Sequence, residues 1–302
     1  MLSISARRTG PRRYRSRKSL YRAIIHVVLC LFSLAFLLPL LLVVIVSFTD
    51  EKALDQNGYS LFPTKWSLEA YKFIMVDPGQ IISAYGVTVF ATVVGTIMSL
   101  LIVSLLAYVL ARKDFKFRKA FSFYVFFTLL FNGGLVPWYI LITQYLHLQD
   151  TLAALIIPYL VSAWNVLLLR TYFASLPHEL IDAAKIDGAG EWRIFFQLVV
   201  PLSTPALATV GLLTMLVYWN DWWLGLLFIN NPNLVPLQYL LYRISTDIDF
   251  LSTNPQTVGL APPVEAVRMA MAVLAIGPIV FAFLFVQKYF IRGITLGGLK
   301  GD

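Results

Sequence analysis

Glu179, Asp182 and Asp187 stand close together in the stretch from Pro177 to Pro201, between two long apolar runs. Carboxylates can serve as acid–base groups, as metal ligands or as ionic contacts. The first two roles need companions, and none is near. The three histidines, His26, His147 and His178, are scattered through the chain and build neither a metal set nor a triad. No H-E-x-x-H run occurs, and no serine sits in a G-x-S-x-G turn. A G-x-x-x-x-G-K-[ST] phosphate loop is also missing, and the closing glycines lack its lysine–hydroxyl ending. The one cysteine, Cys30, excludes an intramolecular disulfide and a cysteine-built metal site. These residues predict no catalysis by this chain, no bound cofactor and no metal.

The elements that present the three carboxylates are legible. Pro177 suits a first helical position, where its missing N–H is no loss, and Glu179 favours the positive helix end. Ala183 and Ala184 favour helix and leave room for another backbone to approach. Gly188 supplies the left-handed residue that commonly closes a helix. A second amphipathic helix is predicted from about Glu191 to Val200, stopped by Pro201 and Pro205.

With 59% hydrophobic and 13% charged residues, the chain is too apolar for an ordinary soluble domain. About 20 apolar helical residues cross a bilayer, and runs of that kind lie at 23–48, 83–111, 120–142, 151–170, 205–229 and 267–289. The expected fold is all-α and integral to the membrane, with six transmembrane helices. Basic residues crowd the first 22 positions, and Arg112, Lys113, Lys116, Arg118 and Lys119 follow the second run. Positive loops stay inside, so both termini are expected in the cytoplasm. The +8 net charge is explained by this topology and by anionic lipid headgroups, without nucleic acid. The first run is read as a retained span, because it is too long for a secretory signal.

Along the chain, 49–82 is expected to hold turns and one short interfacial helix near 68–75. The third span is weakened at Asn132-Gly133-Gly134 and Pro137, which makes either a kink packed on neighbours or a hinge beside a water-filled path. Asn165 lies in the fourth span, and Trp219, Asn220 and Asp221 in the fifth. A carboxylate there is costly unless paired or wetted. Those residues are candidates for a polar, aromatic-lined path, with an interfacial aromatic belt as the alternative. The outer segment 230–263 is long enough to meet something outside, with an amphipathic stretch at 234–244, and glycines 293, 297, 298 and 301 predict an extended, flexible tail. A secondary transporter would need ion-coupling acids in its spans, which are nearly free of them.

Asp182-Ala183-Ala184, Asp187-Gly188 and Pro201 resemble the cytoplasmic coupling loop of bacterial ATP-binding-cassette import permeases. The whole chain from about Leu20 is similar to the smaller, six-span subunit of carbohydrate importers of the maltose type. Gln287-Lys288-Tyr289-Phe290 and the glycines after it resemble that subfamily's ending. The runs 131–142 and 219–221 are similar to a branch handling oligosaccharides, including acidic, alginate-like ones. The resemblance implies the type I importer permease fold. It divides the chain into a basic segment 1–22, a permease domain 23–290 with coupling loop 171–204 and outer loop 230–263, and a tail 291–302. Implied partners are a second, different permease subunit, two ATPase subunits that bind ATP and Mg, and a soluble substrate-binding protein. Glu179, Asp182, Ala183, Ala184, Asp187 and Gly188 would couple to the ATPase, and Asn132, Asn165, Trp219, Asn220 and Asp221 would line the path. The family's first loop residue is usually Glu, and Asp182 is one methylene shorter. A permease for a non-carbohydrate solute is the alternative within the same class.

Overall fold

A computed structural model describes residues 12–253 and 264–298, which are almost entirely helical. They divide into two compact units, one built from 12–71 and 264–273 and the other from 72–253 and 274–298.

The first unit begins with α1 (Arg12–Ser47), whose side chains from Tyr21 to Leu41 are all exposed. Apolar exposure on that scale suits lipid or another protein, not water. After it come α2 (Glu51–Asn57), which the sequence did not announce, and α3 (Glu69–Ile74), close to the expected interfacial helix. Lys65 pairs with Asp50 at 2.8 Å, and Tyr71 meets Ser47 at 2.9 Å. Glu51 accepts from the backbone N–H groups of Glu265 at 2.9 Å and Ala266 at 3.0 Å. Those donors belong to the first turn of the last helix, so Glu51 satisfies amides that a helix start leaves free.

The second unit is organised by α4 (Pro78–Ala111). Pro78 fills the first helical position, and Asp77 accepts from Gln80 N–H at 3.2 Å. Then follow α5 (Arg118–Leu130), α6 (Leu135–Ile140) extended by a π turn at Leu141–Tyr145, and 3-10 turns at Leu152–Leu155 and Ile157–Tyr159. Next are α7 (Ala163–Ala174), α8 (His178–Ile186), α9 (Glu191–Ile194), a π turn at Phe195–Val199 and α10 (Val200–Leu202). The chain closes with α11 (Thr204–Trp219), α12 (Trp223–Phe228), α13 (Leu237–Thr253) and α14 (Val264–Gly298). Helix α4 packs on α7 and α11. Their shared core holds Val103, Ala107, Val166, Leu169 and Val210, and it continues into Ile181, Ile194 and Phe195 of the loop helices.

Among the described residues three helices are long and apolar enough to cross a membrane, Tyr21–Ser47, Pro78–Ala111 and Val264–Phe281, and up to six spans result if each of three bent helix pairs counts as one. The six expected spans map onto these three helices and three bent pairs, with the break in the third where the sequence weakens it. The third span bends by 112° between α5 and α6, where Gly134 takes φ +87° and donates to Asn132 Oδ1 at 2.8 Å. The fourth bends by 49° and is helical in α geometry only after Ser162, because Pro158 has no N–H to continue a ladder. The predicted fifth span stops at Trp219 and resumes as α12.

The second loop helix also differs. Pro201 lies inside a helical turn and does not end it; the π turn before it absorbs its missing N–H and the crowding of its ring. The 83° bend comes next, between Leu202 and Thr204. The amphipathic stretch after Asn230 extends further than expected, as α13, while 254–263 lies outside the described residues. The predicted extended tail is helical through Gly298, since Phe290, Ile291, Ile294 and Leu296 keep helical propensity between glycines that cost only about 1 kcal/mol each; residues 299–302 lie outside the described ones.

Gly95 shows how closely α4 and α11 approach, since a Cβ there would lie 2.5 Å from the ring of Tyr218. That ring is buried, and its hydroxyl donates to the Ile156 carbonyl at 2.9 Å, so it cannot swing away cheaply. Gly95→Ala is expected to cost about 1–3 kcal/mol through overpacking, seen as a lower thermal midpoint in detergent; an unchanged midpoint would mean that the contact is looser than described.

Candidate functional site

Helix α8 starts one residue later than predicted, with the extended Pro177 just before it. Its end is a Schellman closure: Ala189 N–H donates to Ala184 O at 2.9 Å and Gly188 N–H to Lys185 O at 3.0 Å, with Gly188 at φ +78°. One face, carrying Ile181 and Ala184, packs on the core. The other presents Glu179, Leu180, Asp182, Ala183, Ile186 and Asp187, so the two alanines of the pair look in different directions. Ile186 is 87% exposed and Trp192 of α9 is 67% exposed. No hydrogen bond or ion pair is made by the carboxylates of Glu179, Asp182 or Asp187 among the described residues. An exposed surface that mixes free carboxylates with large apolar side chains is built to be covered by a protein.

What holds this helix pair was not anticipated from the sequence. Arg112, just past the end of α4, grips Asp114 through Nε at 3.1 Å and Nη2 at 2.7 Å, and its Nη2 lies 3.4 Å from Glu191 Oε1. Lys185 of α8 meets Asp114 at 3.0 Å and Glu191 at 3.3 Å. Tyr108 donates to the other oxygen of Glu191. Two cations thus share two carboxylates, and α4, α8 and α9 meet at one node. The Arg112 hydrogen bonds, against some burial and with help from Lys185, hold the Asp114 carboxyl down at about 2. The signal available in the sequence was the Arg112…Asp114 and Lys185…Glu191 pattern, of which Arg112 was read as a topology marker alone.

Towards the middle of the same unit lie two cavities at the broken helices. One, of about 390 Å³, is lined by Tyr159, Ser162, Trp164, Asn165 and Thr214 among others. The second, of about 450 Å³, is lined by Asn132, Gly134, Leu135, Trp138, Tyr159 and Trp223. Irregular backbone at membrane depth is tolerated beside such spaces. Of the five path candidates, Asn132 and Asn165 reach a cavity; Asn165 is nearly buried and donates to Thr214 Oγ1 at 3.2 Å. Trp219 is 5% exposed, with its indole N–H on the Ala275 carbonyl at 2.9 Å. Asn220 donates back to Leu216 O at 2.9 Å. Asp221 is paired, accepting from Tyr159 Oη–H at 2.8 Å and from Leu224 N–H at 3.2 Å at the start of α12. Trp138, Tyr159, Trp164 and Trp223 were not among the path candidates, although Trp138 and Tyr159 each directly follow a proline that interrupts a span.

Residues 101–296 match the family described as binding-protein-dependent transport system inner membrane component. The chain is 36% identical to the polygalacturonan/rhamnogalacturonan transport system permease protein YtcP of Bacillus subtilis, over 94% of this chain and 100% of that one. It is 35% identical to the arabinooligosaccharides transport system permease protein AraQ of Halalkalibacterium halodurans, over 87% of this chain and 91% of that one. Among solved structures, a chain in the crystal structure of a bacterial ABC transporter involved in the import of the acidic polysaccharide alginate superposes with a TM-score of 0.77 at 28% identity, covering 96% of this chain and 100% of that chain.

The Asp114 carboxyl lies below its ordinary value of 3.8, so the stability it lends is fully present above about pH 4 and is lost as pH falls through about 2. The node is therefore expected to hold α8 equally from pH 5 to 8. Asp114→Ala should speed amide exchange across 183–189 at neutral pH while leaving α4 and α11 protected. Equal exchange in variant and parent would show that the core contacts alone hold the loop.

Proposed function

Because the chain belongs to the family of binding-protein-dependent transport system inner membrane components and has the all-helical fold of type I importer permeases, we propose that it forms half of the translocation path of an ATP-driven oligosaccharide importer. Its cargo class includes acidic fragments of the alginate or pectin kind, in line with the names of its relatives. The other half of the path comes from a second, different permease subunit. Two ATPase subunits carry ATP and Mg and do the hydrolysis, and a soluble binding protein delivers the sugar. Both termini and the α8–α9 loop face the cytoplasm.

The observation that carries this reading is α8 itself, capped at its end, keyed into the core by Ile181, and presenting the unpaired Asp182 with Ala183, Ile186 and Asp187. In the proposed cycle, closure of the ATPase pair on ATP moves this helix. Because Arg112, Asp114, Lys185 and Glu191 tie it to the end of α4, the motion reaches the bundle and does not dissipate in a loose loop. Asp182 would meet a basic residue of the ATPase, and truncating one partner of a buried charge pair costs about 2–5 kcal/mol.

In the complex assembled with its partner permease, ATPase and binding protein, Asp182→Ala is expected to lower sugar-stimulated ATP hydrolysis at least tenfold with normal membrane insertion. Parental stimulation in the variant would remove Asp182 from the coupling role. A complex that answers to no neutral or uronic oligosaccharide would point to a non-carbohydrate solute.

A further inference from the structure

Tyr159 lines both cavities and stands between them. It is fixed from two sides. Its hydroxyl donates to Asp221 at 2.8 Å, and its ring lies edge-on to that of Tyr218, 6.0 Å between centroids. Both anchors are themselves fixed: Asp221 by Leu224 N–H, and Tyr218 by the Ile156 carbonyl and by its seat over Gly95. A half-buried tyrosine whose one hydroxyl proton is already committed presents its ring, and no further donor, to its surroundings. Trp164 adds a second aromatic wall on one side, and Trp138 and Trp223 on the other.

The linings share a second property, which is that among the described residues neither contains a Lys, Arg, His, Asp or Glu. Cavities of about 390 and 450 Å³ fall in the range of small-molecule sites, roughly 300–1,000 Å³. What they offer a solute is aromatic surface, with amide and hydroxyl groups from Asn132, Ser162 and Asn165 beside it. That set matches the C–H face and the hydroxyl edge of a pyranose or furanose ring. To a carboxylate it offers neutral donors but, among the described residues, no cation to pair with the charge.

Resting on the importer reading above, we propose that Tyr159 is the positioning platform of this half of the path. A sugar ring stacks on it while passing between the two chambers, and this subunit discriminates by ring face and hydroxyls, leaving the charge of an acidic cargo to be met by another chain. Asp221 is the group that holds the platform and does not touch the cargo.

The test uses the complete complex in proteoliposomes with saturating binding protein, and reads sugar imported per ATP hydrolysed for a neutral oligosaccharide and for an oligogalacturonide of equal length. Tyr159→Ala is expected to lower that ratio at least fivefold for both sugars, the two losses agreeing within twofold. Tyr159→Phe keeps the ring but gives up the bond to Asp221, so its ratio should fall less than that of Tyr159→Ala and by the same factor for both sugars. Import and hydrolysis falling together, at an unchanged ratio, would mean that Tyr159 only supports the fold and would overturn the proposal, as would a loss confined to the uronic sugar. If Tyr159→Ala fails to assemble, Trp164→Leu carries the same test, since that side chain is 63% exposed; it is expected to lower the ratio for both sugars, and no change would overturn the platform. A parent complex that imports neither sugar defeats the importer reading itself, and with it this inference.

Discussion

A backbone amide inside hydrocarbon has no water to turn to, and this chain breaks its helices where that matters most. At three of the interruptions a short polar side chain takes up an amide that the helix has released. Asn132 accepts from Gly134 N–H, Ser162 from Asn165 N–H and Asp221 from Leu224 N–H. Thr88 does the same for Leu237 N–H at 2.8 Å, where α13 starts. Once the breaks are satisfied in this way they can stay open to space, and the two cavities are found beside them. The polar residues scattered through the spans are thus spent largely on the chain's own backbone, and the aromatic rings are left to face the cavities.

Helix α4 touches both functional regions of its unit. At one end Tyr108 and Arg112 enter the charged node that holds α8 and α9. Four turns back, Gly95 carries the ring of Tyr218, and through it the platform at Tyr159. This is a contiguous physical route from a surface that a partner can push to a cavity that a solute can fill. The node at its end is electrostatic and directional, whereas the packing along it is apolar and close. A displacement at α8 therefore has a stiff element to act on.

Much of this was legible in the sequence, and the parts that were not share a cause. Helix α8 could be read almost to the residue, because Pro177 and Gly188 act locally, through a missing N–H and a left-handed φ. The breaks at Asn132-Gly133-Gly134 and Pro158 could be read as weak points, but their angles could not, because a bend is set by what packs on either side. Asp221 drew attention as a costly carboxylate, which was sound, yet its partner Tyr159 lies 62 residues away. The same holds for Glu191, whose contact with Arg112 spans 79 residues. Glycines 293, 297 and 298 were read as an extended tail, although the apolar residues between them sustain a helix.

The central claim is that the outer face of α8 is covered by an ATPase subunit. It is tested most directly by placing a single cysteine at Ala183 in a Cys30→Ser background and cross-linking membranes that carry the assembled complex. The account predicts a product with the ATPase from Ala183→Cys and none from a cysteine at Ser33, which lies midway along the exposed α1. An intact complex that gives no ATPase product from Ala183→Cys would contradict it.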